Sequence, residues 1–288
     1  MTNTIILGVC ALQGAFEEHM AMIELLNHEP STVGITLSAI QIKTAAELIA
    51  IQPATGRPID GILLPGGEST AMGLIGTATA NFWPALNKFI NIDKRPTWGT
   101  CAGMILLANK AVGCSAVISQ GQALVGGMDV TVCRNYFGSQ ISSFEMQIPM
   151  PNSDETYPAV FIRAPAILSV GEGVDVISKI LATPCKQANA VLKELDKKLA
   201  RGESVIKMEI VDPSSDDTIL HDDKRRKCLT SDEGEIVLPG ATGTGDAREI
   251  ICAAKKENVL VTSFHPEITT DTRWHLYFLN NFVKAKEL

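Results

Sequence analysis

The chain has 288 residues, 45% of them hydrophobic and 20% charged, the balance of a globular protein able to bury one large core or two modest ones. A formal net charge of −7 argues against nucleic acid or an anionic membrane surface as the main partner, and no apolar run approaches the roughly 18 residues of a membrane span. Seven cysteines at irregular spacings, without a CxxC pair, make no disulfide framework, so a reducing, cytoplasmic setting is expected.

The opening residues Met1-Thr2-Asn3-Thr4 lack the basic region of a secretory signal and lead into a continuous apolar, β-branched run over 4–12, a predicted first strand. That run ends in Gln13-Gly14, and a helix is expected over 17–27. Residues 39–43 predict a second strand, and Thr44 followed by Glu47 is a capping box that starts a short helix. A third strand over 59–64 stops abruptly at Pro65-Gly66-Gly67-Glu68-Ser69-Thr70. Residues 81–90 read as a helix, 96–99 as a strand and 102–111 as a helix. This alternation predicts a three-layer α/β fold, a mostly parallel sheet flanked by helices with right-handed crossovers. Ligands in such sheets bind beyond the carboxyl ends of the strands, so the loops at Gln13-Gly14, Gly66-Gly67-Glu68 and Gly99-Thr100-Cys101-Ala102-Gly103 are expected on one rim.

The second half is less regular. Residues 122–132, 147–148 and 159–162 look like strands, with antiparallel pairing open. Within a single domain spanning 1–288, residues 174–250 read as a charged, partly flexible surface insertion, although 188–199 has helical character. Its basic cluster after His221 is flanked by acids, which makes a poor nucleic-acid patch; a docking role and a tolerated excursion both remain open. Regular structure is expected again at 259–264, followed by His265-Pro266-Glu267 and a final helix over 271–286.

Gly99-Thr100-Cys101-Ala102-Gly103, between a short apolar strand and an apolar helix, has the form of a nucleophile elbow. The chain turns sharply there, glycines two residues either side avoid a collision, and the sulfur sits at a helix start whose free N–H groups favour a thiolate. The alternative is a buried structural cysteine on a Gly-rich turn. A nucleophilic cysteine needs a base, and His265 at the end of an apolar strand is the candidate. Glu267, past a proline that fixes the turn, can then orient the imidazole. The backbone N–H groups of Ala102 and Gly67 are candidate oxyanion donors. Glu68 and Ser69 either cap a helix or bind a substrate ammonium and polar groups. His19 and His28 lie on or near the first helix, and His275 beside Trp274 and Tyr277 reads as a packing residue. No His/Cys/Asp/Glu set has metal-ligand spacing.

Gly-Thr-Cys-Ala-Gly together with Phe264-His265-Pro266-Glu267 resembles the class I (triad) glutamine amidotransferases. Four further segments narrow the resemblance: Leu12-Gln13-Gly14-Ala15-Phe16-Glu17-Glu18-His19, Leu64-Pro65-Gly66-Gly67-Glu68-Ser69-Thr70, Arg134-Asn135-Tyr136-Phe137-Gly138-Ser139-Gln140 and Phe161-Ile162-Arg163-Ala164-Pro165. Together they are similar to the glutaminase subunits of pyridoxal 5′-phosphate synthase, the Pdx2/SNO family. The resemblance covers roughly residues 4–165 and 250–285 and implies a flavodoxin-like fold. It implies Cys101 as nucleophile, His265 as base and Glu267 as its orienter. By the same resemblance Gly67, Glu68, Ser69, Arg134, Ile162 and Arg163 bind substrate, and Gln13 belongs to a segment that completes the oxyanion site when a partner docks. It also implies hydrolysis of L-glutamine to glutamate and ammonia, no coenzyme in this chain, and a Pdx1/SNZ-like (β/α)8-barrel synthase subunit as partner in a large hetero-oligomer for vitamin B6 biosynthesis. The alternatives are a glutaminase serving another ammonia-using synthase and a non-catalytic regulatory subunit. The excess charge of 174–250 carries no implied role.

Overall fold

Strand and helix alternate in the first hundred residues because apolar, β-branched runs are separated by capped or glycine-broken turns. The computed structural model describes residues 3–112, 125–138, 143–201 and 246–286. In chain order, the first half comprises β1 (Asn3–Cys10), α1 (Phe16–Leu25), β2 (Ile35–Ile42), α2 (Ala45–Ile49), β3 (Gly61–Leu64), α3 (Ser69–Ala78), α4 (Phe82–Asn87), β4 (Thr97–Thr100) and α5 (Ala102–Leu107). There follow β5 (Ala108–Val112), β6 (Met128–Cys133), β7 (Ser143–Pro149), β8 (Thr156–Ile162), β9 (Ala166–Val170), β10 (Asp175–Ala182), α6 (Lys186–Ala200), β11 (Arg248–Lys256), β12 (Val259–Thr262) and α7 (Arg273–Phe278).

Ten strands make one sheet in the order β2-β1-β3-β4-β12-β11-β9-β6-β5, with β10 also paired to β11. The first five are mutually parallel, so the carboxyl ends of β1, β3, β4 and β12 open on one rim. Beyond β12 the sheet turns antiparallel through β11, β9 and β6, and β7 and β8 form a separate hairpin. Alternate residues of each central strand point to opposite faces. Ile5, Leu7, Val9, Trp98 and Leu260 pack on one side with α1 and α7, while Ile6, Ile62, Leu64, Val259 and Val261 pack on the other with Met104 and Leu106 of α5. Each such side chain contributes about 1.5–3 kcal/mol by leaving water.

The capping box predicted at Thr44 forms: its hydroxyl accepts from the Glu47 N–H, and the Glu47 carboxylate accepts from the Thr44 N–H. Two expectations are corrected. The helix expected over 102–111 ends at Leu107, because residues 108–112 pair in parallel with β6 and that ladder overrides local helical preference. The expected insertion over 174–250 begins and ends in sheet: Asp175–Ala182 pairs antiparallel with residues 248–255 of β11. Ser178 and Ile180 are the only buried residues of β10, so its composition reads as solvent-exposed loop. Residues 186–200 form a helix that buries Ala188, Leu192 and Leu195, one stripe at helical spacing. The rest of that expectation, residues 202–245 with His221, lies outside the described residues, as do 122–124 and Ser139-Gln140.

Candidate active site

At the carboxyl end of β4 the backbone of Cys101 takes φ 45° and ψ −100°, a region that costs a non-glycine residue about 1–3 kcal/mol. Its surroundings hold it there. The Cys101 N–H donates to the Thr262 carbonyl at 2.8 Å and its own carbonyl accepts from Ile105 N–H at 3.2 Å. A Cβ on Gly103 would lie 2.0 Å from the Leu64 carbonyl oxygen, and one on Gly99 would lie 2.6 Å from the Gly103 carbonyl carbon. The elbow therefore needs its flanking glycines. Cys101 is 6% exposed and lines the cavity rather than the core.

His265 follows β12, which lies directly beside β4. Its N–H donates to the Val160 carbonyl at 2.8 Å, and a tight turn over Pro266–Ile268 brings the Glu267 carboxylate back under the ring, with Nδ1 2.7 Å from Oε1. Burial by itself would lower the pKa of His265; the nearby charge of Cys101, and then the hydrogen bond and charge of Glu267, outweigh it and push the imidazole up to about 10. Burial would raise Glu267, but His19 and His265 outweigh it and hold the carboxyl below its ordinary range. Glu267 is itself buried, and its second oxygen faces His19 of α1, with Nε2–Oε2 3.4 Å.

The loop after β3 lies against both sides of the site. A Cβ on Gly66 would sit 2.2 Å from His265 Cε1, so only glycine lets this loop approach the imidazole. The Gly66 carbonyl accepts from Ala15 N–H at 2.9 Å, and the Glu68 N–H donates to Gln13 Oε1 at 2.8 Å, tying the loop to the turn after β1. Glu68 caps α3 by accepting from the Thr70 and Ala71 N–H groups. Those bonds outweigh partial burial and keep its carboxyl below the usual range. Arg134, at the end of β6, donates through Nη2 to Ser69 Oγ at 2.8 Å and Thr70 Oγ1 at 3.0 Å. Among the described residues its Nε and Nη1 are buried without a hydrogen-bond partner, and buried polar groups are ordinarily satisfied.

Of the residues singled out from the sequence, Gly67, Glu68, Ser69, Cys101, Arg134, Ile162, Arg163 and His265 line one cavity of about 160 Å³. That is well below the roughly 300–1,000 Å³ of sites for drug-sized ligands, and it suits a molecule the size of an amino acid. Glu267 sits behind His265, Ala102 is the fully buried first residue of α5, and Gln13 touches the outer edge of the loop. Arg163 carries φ 45°, a second strained position in the cavity wall. Sequence reasoning gave no site role to Ile105, Asn135, Gly138 and Pro165 on that wall, nor to Thr100, His19 and His275 behind Glu267. No periodicity marks a histidine that meets its partner across 256 residues of chain, as His19 meets His275. The turn carrying Arg134 is anchored by the connection between β10 and α6: the Tyr136 hydroxyl donates to the Ala182 carbonyl, and the Cys185 N–H donates to the Tyr136 carbonyl, each at 2.8 Å. Among the described residues no group of three or more His, Cys, Asp or Glu side chains could hold a metal ion, and no helix is long and apolar enough to cross a membrane.

Comparison with known proteins places this arrangement. Residues 9–193 match the model of the SNO glutamine amidotransferase family. A probable pyridoxal 5′-phosphate synthase subunit PDX2 of Arabidopsis thaliana is 36% identical over 278 residues, covering 94% of this chain and 84% of the relative. A probable subunit pdx2 of Dictyostelium discoideum is 32% identical, covering 99% of this chain and 97% of the relative. The pyridoxal 5′-phosphate synthase subunit PdxT of Niallia circulans is 32% identical, with 97% and 98% covered. A crystal structure of a glutamine amidotransferase superposes with a TM-score of 0.58 at 24% identity, covering 95% of this chain and 96% of that one, which shows a shared fold.

Proposed function

The chain belongs to the SNO glutamine amidotransferase family, and from that premise we propose that Cys101, His265 and Glu267 hydrolyse the side-chain amide of L-glutamine to supply ammonia to a pyridoxal 5′-phosphate synthase subunit in vitamin B6 biosynthesis. The observation that carries this reading is the buried His265–Glu267 pair, 2.7 Å apart, set beside a strained cysteine on the wall of an amino-acid-sized cavity. The partner reading is supported by relatives from a plant, a slime mould and a bacterium that bear the synthase-subunit name over nearly the whole chain.

The Cys101 sulfur attacks the amide carbon, a C–S bond forms, and the oxyanion rests on the N–H groups of Ala102 and Gly67. Collapse breaks the C–N bond while His265 passes its Nε2 proton to the departing nitrogen, which leaves as ammonia. The γ-glutamyl thioester remains. The same imidazole serves both half-reactions because the charge that holds its proton is consumed. While Cys101 is anionic it raises His265; in the thioester that charge is gone, so the ring that gave its proton to ammonia stays neutral, and Glu267 supports it as it takes a proton from water. Water then attacks, its proton goes to Nε2, and glutamate departs as the thiolate returns. Glu267 holds the Nδ1 proton throughout and offsets the imidazolium charge.

The free Nε and Nη1 of Arg134 suit the α-carboxylate of the substrate, and Glu68, held ionised by its capping bonds, suits the α-ammonium. Arg134→Leu is expected to raise KM for glutamine about 10- to 100-fold with a smaller change in kcat, the signature of lost charge-assisted hydrogen bonds worth about 1.5–3 kcal/mol. Steady-state glutamate release gives both constants. The reaction class is tested by mass spectrometry after exposure to a glutamine-analogue electrophile in the presence of the synthase subunit. A single adduct on Cys101, suppressed by glutamine, is expected. A protein that binds the synthase yet forms no adduct and releases no glutamate would be a regulatory subunit instead.

A further inference from the structure

The second oxygen of Glu267 is covered by a chain of buried imidazoles. His19 and Glu267 both have fully buried side chains, and His19 Nε2 lies 3.4 Å from Glu267 Oε2 and 3.2 Å from Thr100 Oγ1. On its other side, His19 Nδ1 lies 3.0 Å from His275 Nε2 of α7. Oε2 makes no hydrogen bond among the described residues, so His19 Nε2 faces it as a close electrostatic contact in the buried interior. Trp98 closes the cluster from water, packing edge-on to His19 at 5.9 Å and to His275 at 4.9 Å.

Geometry settles the tautomers. A lone pair on His19 Nε2 would face a carboxylate oxygen, two electron-rich atoms in a dry interior, whereas an N–H there is attracted. Nε2 therefore carries the proton, donated to the Thr100 hydroxyl with the Glu267 carboxylate close beside it. Nδ1 must then accept, and the group offered to it, His275 Nε2, must donate. His275 Nδ1, which is buried without a partner, is left as a lone pair rather than as a stranded N–H. The opposite assignment would strand an N–H and set a lone pair against Glu267.

We propose that His19 is a positioning residue for the reaction: its Nε2–H, fixed by His275, holds the rotamer and the charge of Glu267, which in turn orients His265 toward Cys101. The proposal rests on the triad reading given above. The titratable groups facing this chain are Glu18 and His19 on α1, Tyr157 on β8, Cys101, His265 and Glu267 around the elbow, and His275 on α7.

The test compares His19→Met, which keeps bulk and removes the donor, with His19→Gln, whose amide N–H can reach the place of Nε2. Glutamate release by the full chain with its synthase partner is followed from mildly acid pH to alkaline pH. His19→Met is expected to lower kcat about 10- to 100-fold, the effect of removing a group that orients another from behind, while KM for glutamine changes little. Its acid limb should move to higher pH, because without His19 the burial of Glu267, which favours the protonated form, is opposed by His265 alone. His19→Gln should recover most of kcat and the original limb. A folded His19→Met with unchanged kcat and unchanged acid limb overturns the role of His19, as does equal impairment of both variants. Should His19→Met not fold, His275→Gln and His275→Phe test the next link: activity kept by Gln and lowered by Phe supports the chain, and equal activity overturns it. An unaltered complex that releases no glutamate would overturn the triad reading and this inference together.

Discussion

Cys101→Ala is expected to lower glutamine hydrolysis by about 10⁵-fold or more, because the nucleophile of a covalent mechanism has no substitute in the cavity. Glutamate release measures this directly. The same variant has a second, independent readout. With Cys101 present, its charge together with Glu267 holds the His265 proton until about pH 10, against burial that favours the neutral ring. Removing the sulfur leaves burial opposed only by Glu267, so the imidazole should titrate well below 10 in the alanine variant. NMR of the His265 ring in both proteins checks the shift. In the unaltered protein activity is expected to decline on the alkaline side as His265 loses its proton near pH 10. An imidazole that titrates at the same pH in both proteins would break the proposed coupling, whatever happens to turnover.

Glu267→Gln should reduce kcat by about 10⁴-fold with little change in volume, because an amide no longer enforces the Nδ1–H tautomer that leaves Nε2 free for proton transfer. The carboxylate also raises the pKa of His265 through its hydrogen bond and its charge, so the alkaline limb of the residual activity should move to lower pH. Stability gives a separate check. Burial would raise the Glu267 pKa, but His19 and His265 hold it below the ordinary 4.5. A carboxyl whose folded pKa is depressed contributes stability that is fully present above 4.5 and is lost as pH falls through the folded value. Thermal unfolding of Glu267→Gln should therefore lack that acid-side loss while being less stable near neutrality. Unchanged melting profiles in acid would show that Glu267 is not ionised in the folded state.

Much of this was legible along the chain. The apolar β-branched run before Gln13-Gly14, the Thr44–Glu47 capping box and the glycines bracketing Cys101 are local signals, and each predicts its structure because the interacting groups lie within a few residues of each other. His265 and Glu267 belong to the same class, since a two-residue spacing across a proline turn already brings carboxylate to imidazole. Residues 175–182 failed for the opposite reason. A half-exposed strand at the side of β11 has no periodicity of its own, and only the pairing with residues 248–255 makes it sheet.

The sequence by itself thus determined the sharp turn at Cys101, the His265–Glu267 pairing and the glycine loop, because backbone sterics and short-range hydrogen bonds act over one or two turns. Tertiary structure alone decided that Arg134 keeps a free guanidinium edge in the cavity, because its companions Ser69 and Thr70 lie some 65 residues away. It alone decided that the β10–α6 connection braces the Arg134 turn, and that His19, on a helix folded over the opposite end of the topology, is buried against Glu267. Desolvation and charge pairing at that contact arise only when distant segments exclude water together, and no local pattern records them.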